Sequence, residues 1–264
     1  MLSARERKPG DAIRSDPFHT HVAVVIGEQH GAERLVLARQ QKIPHQDFML
    51  LVLSDEVSRR ESQAISLRAS KAHLDPALEL GAWDPTANVT FDRALLGELS
   101  TLRFPDSHQH VSIVGQVGVG KTFLAHALGH IACRRAASVL AVRADQMLKT
   151  LKHARLDHSY EAELRKLVAV DLLIIDDFCL DAMDPIESRD VYDILIERHR
   201  SGSIVVTSNR GPDEWIAAFA DPMRAQSAID RFINNSYDLV VDEESYRKRL
   251  KPSLGSKEKE DAKP

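Results

Sequence analysis

Cysteine is scarce in these 264 residues, with only Cys133 and Cys179 present. Neither stands at a metal-binding spacing, and one possible pair makes no disulfide framework, so the reading is a reducing compartment. Excess charge of one sign is lacking too. The formal net charge is −4, which supplies no global basic field and leaves nucleic-acid contact to a local patch. Long apolar runs are missing: the longest, such as Leu172 to Ile175, are far too short to cross a bilayer. Residues 1–16 carry both signs of charge and no apolar stretch of a secretory leader. No aromatic residues interleave with basic ones in the manner of base readout. A disulfide-stapled secreted module and a membrane protein are thereby excluded, and a cytoplasmic protein with no membrane partner is expected. At 43% hydrophobic and 28% charged residues, the chain has enough apolar matter for one large α/β domain and a smaller appended piece.

What is present centres on Gly115-Gln116-Val117-Gly118-Val119-Gly120-Lys121-Thr122, the phosphate-binding pattern G-x-x-x-x-G-K-[ST]. An apolar run (Val111, Ile113, Val114) precedes it, and a helix-like segment follows from Phe123 to Arg135. Glycines let backbone N–H groups approach phosphate oxygens, and the helix that follows points its positive end at the same anion. Residues Gly115 to Phe123 are the expected nucleotide contacts, with Lys121 reaching the β- and γ-phosphates and the Thr122 hydroxyl ligating Mg²⁺. The cofactors implied are ATP and Mg²⁺.

Four domain segments follow from punctuation and periodicity. Residues 1–44 read as a polar arm, with an undecided apolar fragment at Val22 to Ile26. Residues 45–88 read as a helical region, with apolar positions spaced by three and four from Phe48 to Leu67, then a connector marked by Asp75-Pro76 and Asp84-Pro85. Residues 89–251 read as the ATPase domain, and 252–264 as a disordered Lys/Glu/Asp/Pro tail. Within the ATPase domain, strands are predicted near Val111–Val114, Ser138–Val142, Leu172–Asp176, Ile204–Thr207 and Tyr237–Val241. Helices are predicted over 92–99, 145–153, 160–168, 186–200 and, with a break at Asp221-Pro222, 214–233. Such alternation predicts an α/β fold: a five-stranded parallel sheet flanked by helices, plus the small helical N-terminal region.

Two further strand ends carry chemistry. A buried strand Leu172–Ile175 delivers Asp176 to hold Mg²⁺ and Asp177 to orient or deprotonate the attacking water. The next strand ends at Asn209, whose amide suits a lytic water or a γ-phosphate oxygen, although Ser-Asn-Arg-Gly is also a common turn. Arg231 reads either as an arginine finger given to a neighbouring subunit or as a salt-bridge partner of Asp230 or Asp193. Arg247 is a weaker nucleotide or neighbour contact. His126 and His130 lie four apart but lack a third ligand, and Cys179 has no base near it in sequence, so neither is read as a metal or nucleophile site. Lys149, Lys152, His153 and Arg155 form the best basic cluster for phosphate contact, followed by Arg134-Arg135 and the Arg247–Lys251 run.

Taken together, Gly-Gln-Val-Gly-Val-Gly-Lys-Thr, Leu-Leu-Ile-Ile-Asp-Asp-Phe, Thr-Ser-Asn-Arg, Asp-Glu-Trp, Ile-Asp-Arg-Phe and Glu-Ser-Tyr-Arg resemble the IstB-type transposition helper ATPases, AAA+ proteins related to DnaC helicase loaders. The resemblance runs from about Asp47 to Pro252. It implies a homo-oligomer that assembles with ATP on duplex DNA, captures and bends a target, and stimulates a partner transposase of the integrase type. It also implies that Asp177 stands where many AAA+ proteins have Glu, with Asn209 as first sensor and Arg231 as finger. A helicase loader or an ATP-gated scaffold with little hydrolysis is the alternative. Two departures stand out. Cys179 replaces the Gly of Asp-Asp-Phe-Gly, which requires either a negative φ or strain, and the first forty residues lack the family's usual helical start.

Overall fold

The computed structural model describes residues 40–41, 43–84 and 89–242. They form two compact units divided between Ala64 and Ile65, inside helix α1 (His45–Lys71). In the first unit, Phe48, Val52 and Glu56 are buried at four-residue steps, one stripe of the helix. Arg59 and Arg60 grip Glu56 at 2.7 and 2.6 Å and hold its carboxyl down at about 2. The Val22–Ile26 fragment, Arg247 and the tail from Pro252 lie outside the described residues.

The second unit is built on β1 (His110–Gly115), β2 (Val139–Arg143), β3 (Leu172–Asp176), β4 (Ser203–Ser208) and β5 (Ser236–Val241). All pair in parallel, in the order β2-β3-β4-β1-β5. The central strands are apolar along their length because both faces are covered, as parallel sheets require. Leu172, Ile174 and Val205 face one core, with α4 (Lys121–Arg134) and α2 (Arg93–Ser100) packed over it. Leu173, Ile175, Ile204 and Val206 face the other. That core is closed by α5 (Ala144–Leu156), α6 (Tyr160–Val168), α7 (Pro185–Arg198) and α9 (Pro222–Ile233).

The five-stranded parallel sheet and its flanking helices match the sequence expectation. Local detail differs where proline and capping decide. Residues 212–218 form a short helix α8 (Pro212–Trp215) and a 3₁₀ turn (Ile216–Ala218), and a separate α9 starts at Pro222 with Asp221 accepting from Met223 and Arg224 N–H. A four-residue helix α3 (Arg103–Asp106), entered through Leu102 at φ 53°, had no periodic signal to announce it. At the N-terminal edge of the sheet, the fully buried Arg198 donates to the carbonyls of Leu167, Val168, Val170 and Ser203 at 2.5–2.9 Å. Burial pushes its guanidinium down to about 10. No described helix is long and apolar enough to cross a membrane.

Candidate functional site

The strand order puts the C-terminal ends of β3, β4 and β1 side by side, so Asp176, Asn209 and the glycine-rich loop meet at one sheet edge. Two glycines are required there. A Cβ on Gly115 would lie 2.0 Å from the Val241 carbonyl oxygen, and Gly120 holds φ 97° with the Trp83 ring 3.1 Å from where its Cβ would be. Lys121, nearly buried, donates from Nζ to the Gln116 carbonyl and to Asn209 Oδ1, each at 2.7 Å. Thr122 Oγ1 donates to Asp176 Oδ1 at 2.9 Å. Lysine and asparagine, 88 residues apart in sequence, and threonine and aspartate, 54 apart, are thus joined as two hydrogen-bonded pairs at the loop.

Asp177 follows immediately but faces elsewhere. Its backbone sits at φ 56°, its N–H donates to Thr207 Oγ1 at 3.0 Å, and Thr207 in turn donates to Asp176. Among the described residues, the ion-pair partner of its carboxylate is Arg143 at the end of β2, 3.8 Å away. Arg231 is brought to a different place altogether. It is exposed on α9, one residue before Phe232, whose ring stacks on His110 at 5.0 Å. From there the chain enters β5 at Ser236, which pairs with His110. Arg231 is therefore at the N-terminal edge, roughly 17 Å along β1 from the phosphate loop of its own subunit. It forms no ion pair among the described residues: Asp193 pairs with Arg189 and Asp230 accepts from Gln226.

The family model of IstB-like ATP-binding proteins matches residues 29–253. The chain belongs to that family. It is 34% identical over 83% of its length to an insertion-sequence ATP-binding protein of Mycobacterium tuberculosis, covering 88% of that relative. It is 30% identical over 86% of its length to the insertion sequence IS21 ATP-binding protein of Pseudomonas aeruginosa, covering 85% of it. Among solved structures, the DnaC helicase loader superposes with a TM-score of 0.55 at 19% identity, over 63% of this chain and 98% of that one. The replication initiator DnaA bound to AMPPCP and single-stranded DNA gives 0.54 at 20% identity, over 67% and 56%. At such identities these two likenesses establish a shared fold.

An IstB-like protein binds ATP, and the groups that would hold Mg²⁺ fit. Magnesium is taken by one or two protein oxygens plus phosphates rather than by an all-protein cage, and the Thr122 hydroxyl and Asp176 carboxylate stand together at the loop. Among the described residues no cluster of three or more His, Cys, Asp or Glu is arranged for a metal. His126 and His130 instead fasten the connector: His126 Nδ1 accepts from Asp75 N–H at 3.1 Å, and His130 Nε2 lies 2.9 Å from the Asp75 carbonyl. Cys179 takes the strained alternative, at φ 53°, and burial pushes its thiol up to about 12, so it is unreactive. The basic cluster on α5 is largely neutralised: Lys149 pairs with Asp145, Lys152 with Asp184, and Arg155 with the buried Asp190, which Tyr160 also contacts.

Three residues of the site escaped sequence reading. Thr207 carried a weak signal, as the first polar residue after Ile204–Val206, two before Asn209. Arg143 carried none, since only the β2–β3 pairing brings it to Asp177. Trp83 comes from the connector, edge-on to Phe91 and Phe123 at 5.6 and 5.1 Å, and with Val119 and Gly120 lines a cavity of about 80 Å³.

Proposed function

We propose that this IstB-like protein hydrolyses ATP to ADP and phosphate, assembles with ATP on duplex DNA in the cytoplasm, captures target DNA and stimulates an integrase-type transposase. One observation carries the reading. The loop edge gathers Lys121, Thr122, Asp176 and Asn209, and Arg231, exposed and without an ion pair among the described residues, sits on the opposite edge. A second copy would complete the site, as arginine fingers supplied in trans do. Lys121 and the loop from Gly115 to Phe123 hold the phosphates. Thr122 and Asp176 hold Mg²⁺, which neutralises phosphate charge when bound. Asn209 positions the water or a γ-phosphate oxygen, Asp177 orients or deprotonates that water, and Arg247 adds a nucleotide or neighbour contact. DNA contact rests on backbone phosphates repeated across subunits, so it is largely sequence-independent. The insertion-sequence origin of the relatives supports the transposition setting.

An ATP-gated scaffold with little hydrolysis is the second reading, favoured by the strained Cys179 beside Asp177. The deciding experiment is ATP turnover with and without long duplex DNA, using Lys121→Ala as the blank. Turnover above the blank, raised by duplex and weakened by added salt, is expected. Nucleotide binding with no turnover in either condition would overturn the motor reading and leave the scaffold.

A further inference from the structure

Helices α7 and α9 pack against each other in one core, and both end at the N-terminal edge of the sheet. α7 passes into β4 through a turn that is fixed from beneath. Arg198, fully buried, holds the Ser203 carbonyl, and its own carbonyl accepts from Ser201 and Gly202 N–H at 3.1 and 3.2 Å. A Cβ on Gly202 would lie 2.7 Å from Arg198 Nη2, so glycine is needed there. Within this turn Arg200 is held at φ 64°, the left-handed position after a helix where glycine is the usual residue. Its side chain is exposed and has no ion pair among the described residues.

A series of contacts ties the turn to Arg231. Phe232, next to Arg231, stacks on His110, and His110 Nδ1 accepts from Ile204 N–H. Ile204 follows Ser203, the residue whose carbonyl Arg198 holds. His199 lies within reach of both exposed arginines. Its Nδ1 is buried with no hydrogen-bond partner among the described residues. Burial first, then Arg200 and Arg231, pushes its imidazole below the usual range. Asp230 and Asp193 are engaged elsewhere, with Gln226 and Arg189. Two like charges beside a neutral imidazole repel each other, and an anion placed against them reverses the sign. One guanidinium suffices for a carboxylate, whereas two from separate elements suit an anion with charge spread over several oxygens.

We infer that Arg200 is a second trans-acting cation, which contacts, beside Arg231, the triphosphate bound at the loop edge of a second copy. The inference rests on the proposed trans role of Arg231 and adds a residue from a different element. The other duty open to a cation here, offsetting the negative end of α7, lies wholly within one subunit, so mixing of variants separates the two.

In the full-length protein with long duplex DNA, Arg200→Gly removes the charge and frees the strained backbone, with urea unfolding as the check on fold. Its kcat for ATP should fall about 10²-fold, the loss usual for one preorganised donor to developing charge. Arg200→Lys should keep more of the rate. Mixed in equal amounts with Lys121→Ala, Arg200→Gly should recover to about a quarter of wild type, the share of head-to-tail interfaces that join an intact loop to an intact Arg200. Wild-type kcat in Arg200→Gly, or a loss that mixing does not repair, would overturn the inference. Recovery in Arg231→Ala mixtures alone would leave Arg231 acting in trans without Arg200, and recovery in neither would overturn the trans reading itself. A wild type no faster than Lys121→Ala would instead overturn hydrolysis, and sedimentation with ATP and Mg²⁺ then decides. Assembly that needs about tenfold more Arg200→Gly than wild type or Arg200→Lys, the worth of one charge-assisted hydrogen bond, would support the contact. Equal assembly, or none with ATP in wild type, would overturn it.

Discussion

Asp177 and Cys179 hold φ of 56° and 53° and bracket Phe178, whose buried ring meets Trp215 edge-on at 5.0 Å. Left-handed backbone costs a non-glycine residue roughly 1–2 kcal/mol, so two such residues in one turn mark where the fold stores strain beside its chemistry. The strain is testable by rank order. Glycine is ordinarily less stable than alanine by about 0.4–1 kcal/mol through the unfolded state. At position 179 glycine escapes the strain and alanine keeps it, so Cys179→Gly should be at least as stable as Cys179→Ala in urea unfolding. The ordinary order would mean that φ is negative there. Thr207 poses a different question. Its hydroxyl accepts from Asp177 N–H and donates to Asp176. Thr207→Val keeps the shape and removes both bonds, which should cost about 1–3 kcal/mol of stability and lower kcat, while Thr207→Ser retains both. Equal kcat in valine and wild type would show that this hydroxyl does not position the acids.

The elements divide by how much of their cause is local. Leu172–Ile175 and Ile204–Val206 read as buried strands because continuous apolar β-formers have few other places to go, and the loop motif announced its own strand–turn–helix setting. Asp176, Asn209, Lys121 and Thr122 were legible for the same reason, since each stands at the end of such an element. The connector was not legible. Its shape depends on His126 and His130 clasping Asp75 and on Trp83 meeting Phe91 and Phe123, contacts that, apart from Trp83 with Phe91, join residues forty or more apart with no periodic trace. The histidine spacing that resembles a helical metal pair is instead one helix face holding a neighbouring backbone. Arg155 shows the same limit: as sequence it is one cation in a basic cluster, and as structure it is committed to the buried Asp190.

At the scale of the molecule, the sheet separates two edges with different duties. The N-terminal edge is where stability responds to pH. His110 is buried there, its Nδ1 accepts from Ile204 N–H at 3.2 Å, and burial, with Arg198, His199 and His108 behind it, pushes the imidazole down to about 4. The neutral ring is the folded form, so its contribution is complete above the unfolded value near 6.5 and is lost as pH falls towards 4. At about 1.4 kcal/mol per pH unit, roughly 2 kcal/mol should disappear between pH 6.5 and 5. His110→Gln should flatten that part of the stability curve in urea titrations, and an unchanged slope would place the acid sensitivity elsewhere.

The proposed trans role of Arg231 makes a prediction about mixtures of variants. Arg231 stands about a strand's length from its own phosphate loop, and a finger supplied in trans contributes about 10³–10⁵ to turnover. Lys121→Ala and Arg231→Ala should therefore each be nearly inactive alone. Mixed, they form interfaces in which an intact loop from the Arg231→Ala subunit meets an intact arginine from the Lys121→Ala subunit. With random assembly at equal amounts, about a quarter of head-to-tail interfaces have that composition, so turnover should recover to about a quarter of wild type and fall away on either side of the equal mixture. An arginine acting within its own subunit gives no recovery at any ratio, because no single chain in the mixture carries both groups. The shape of the mixing curve, rather than the loss in either variant, decides whether the two edges of neighbouring sheets make one site.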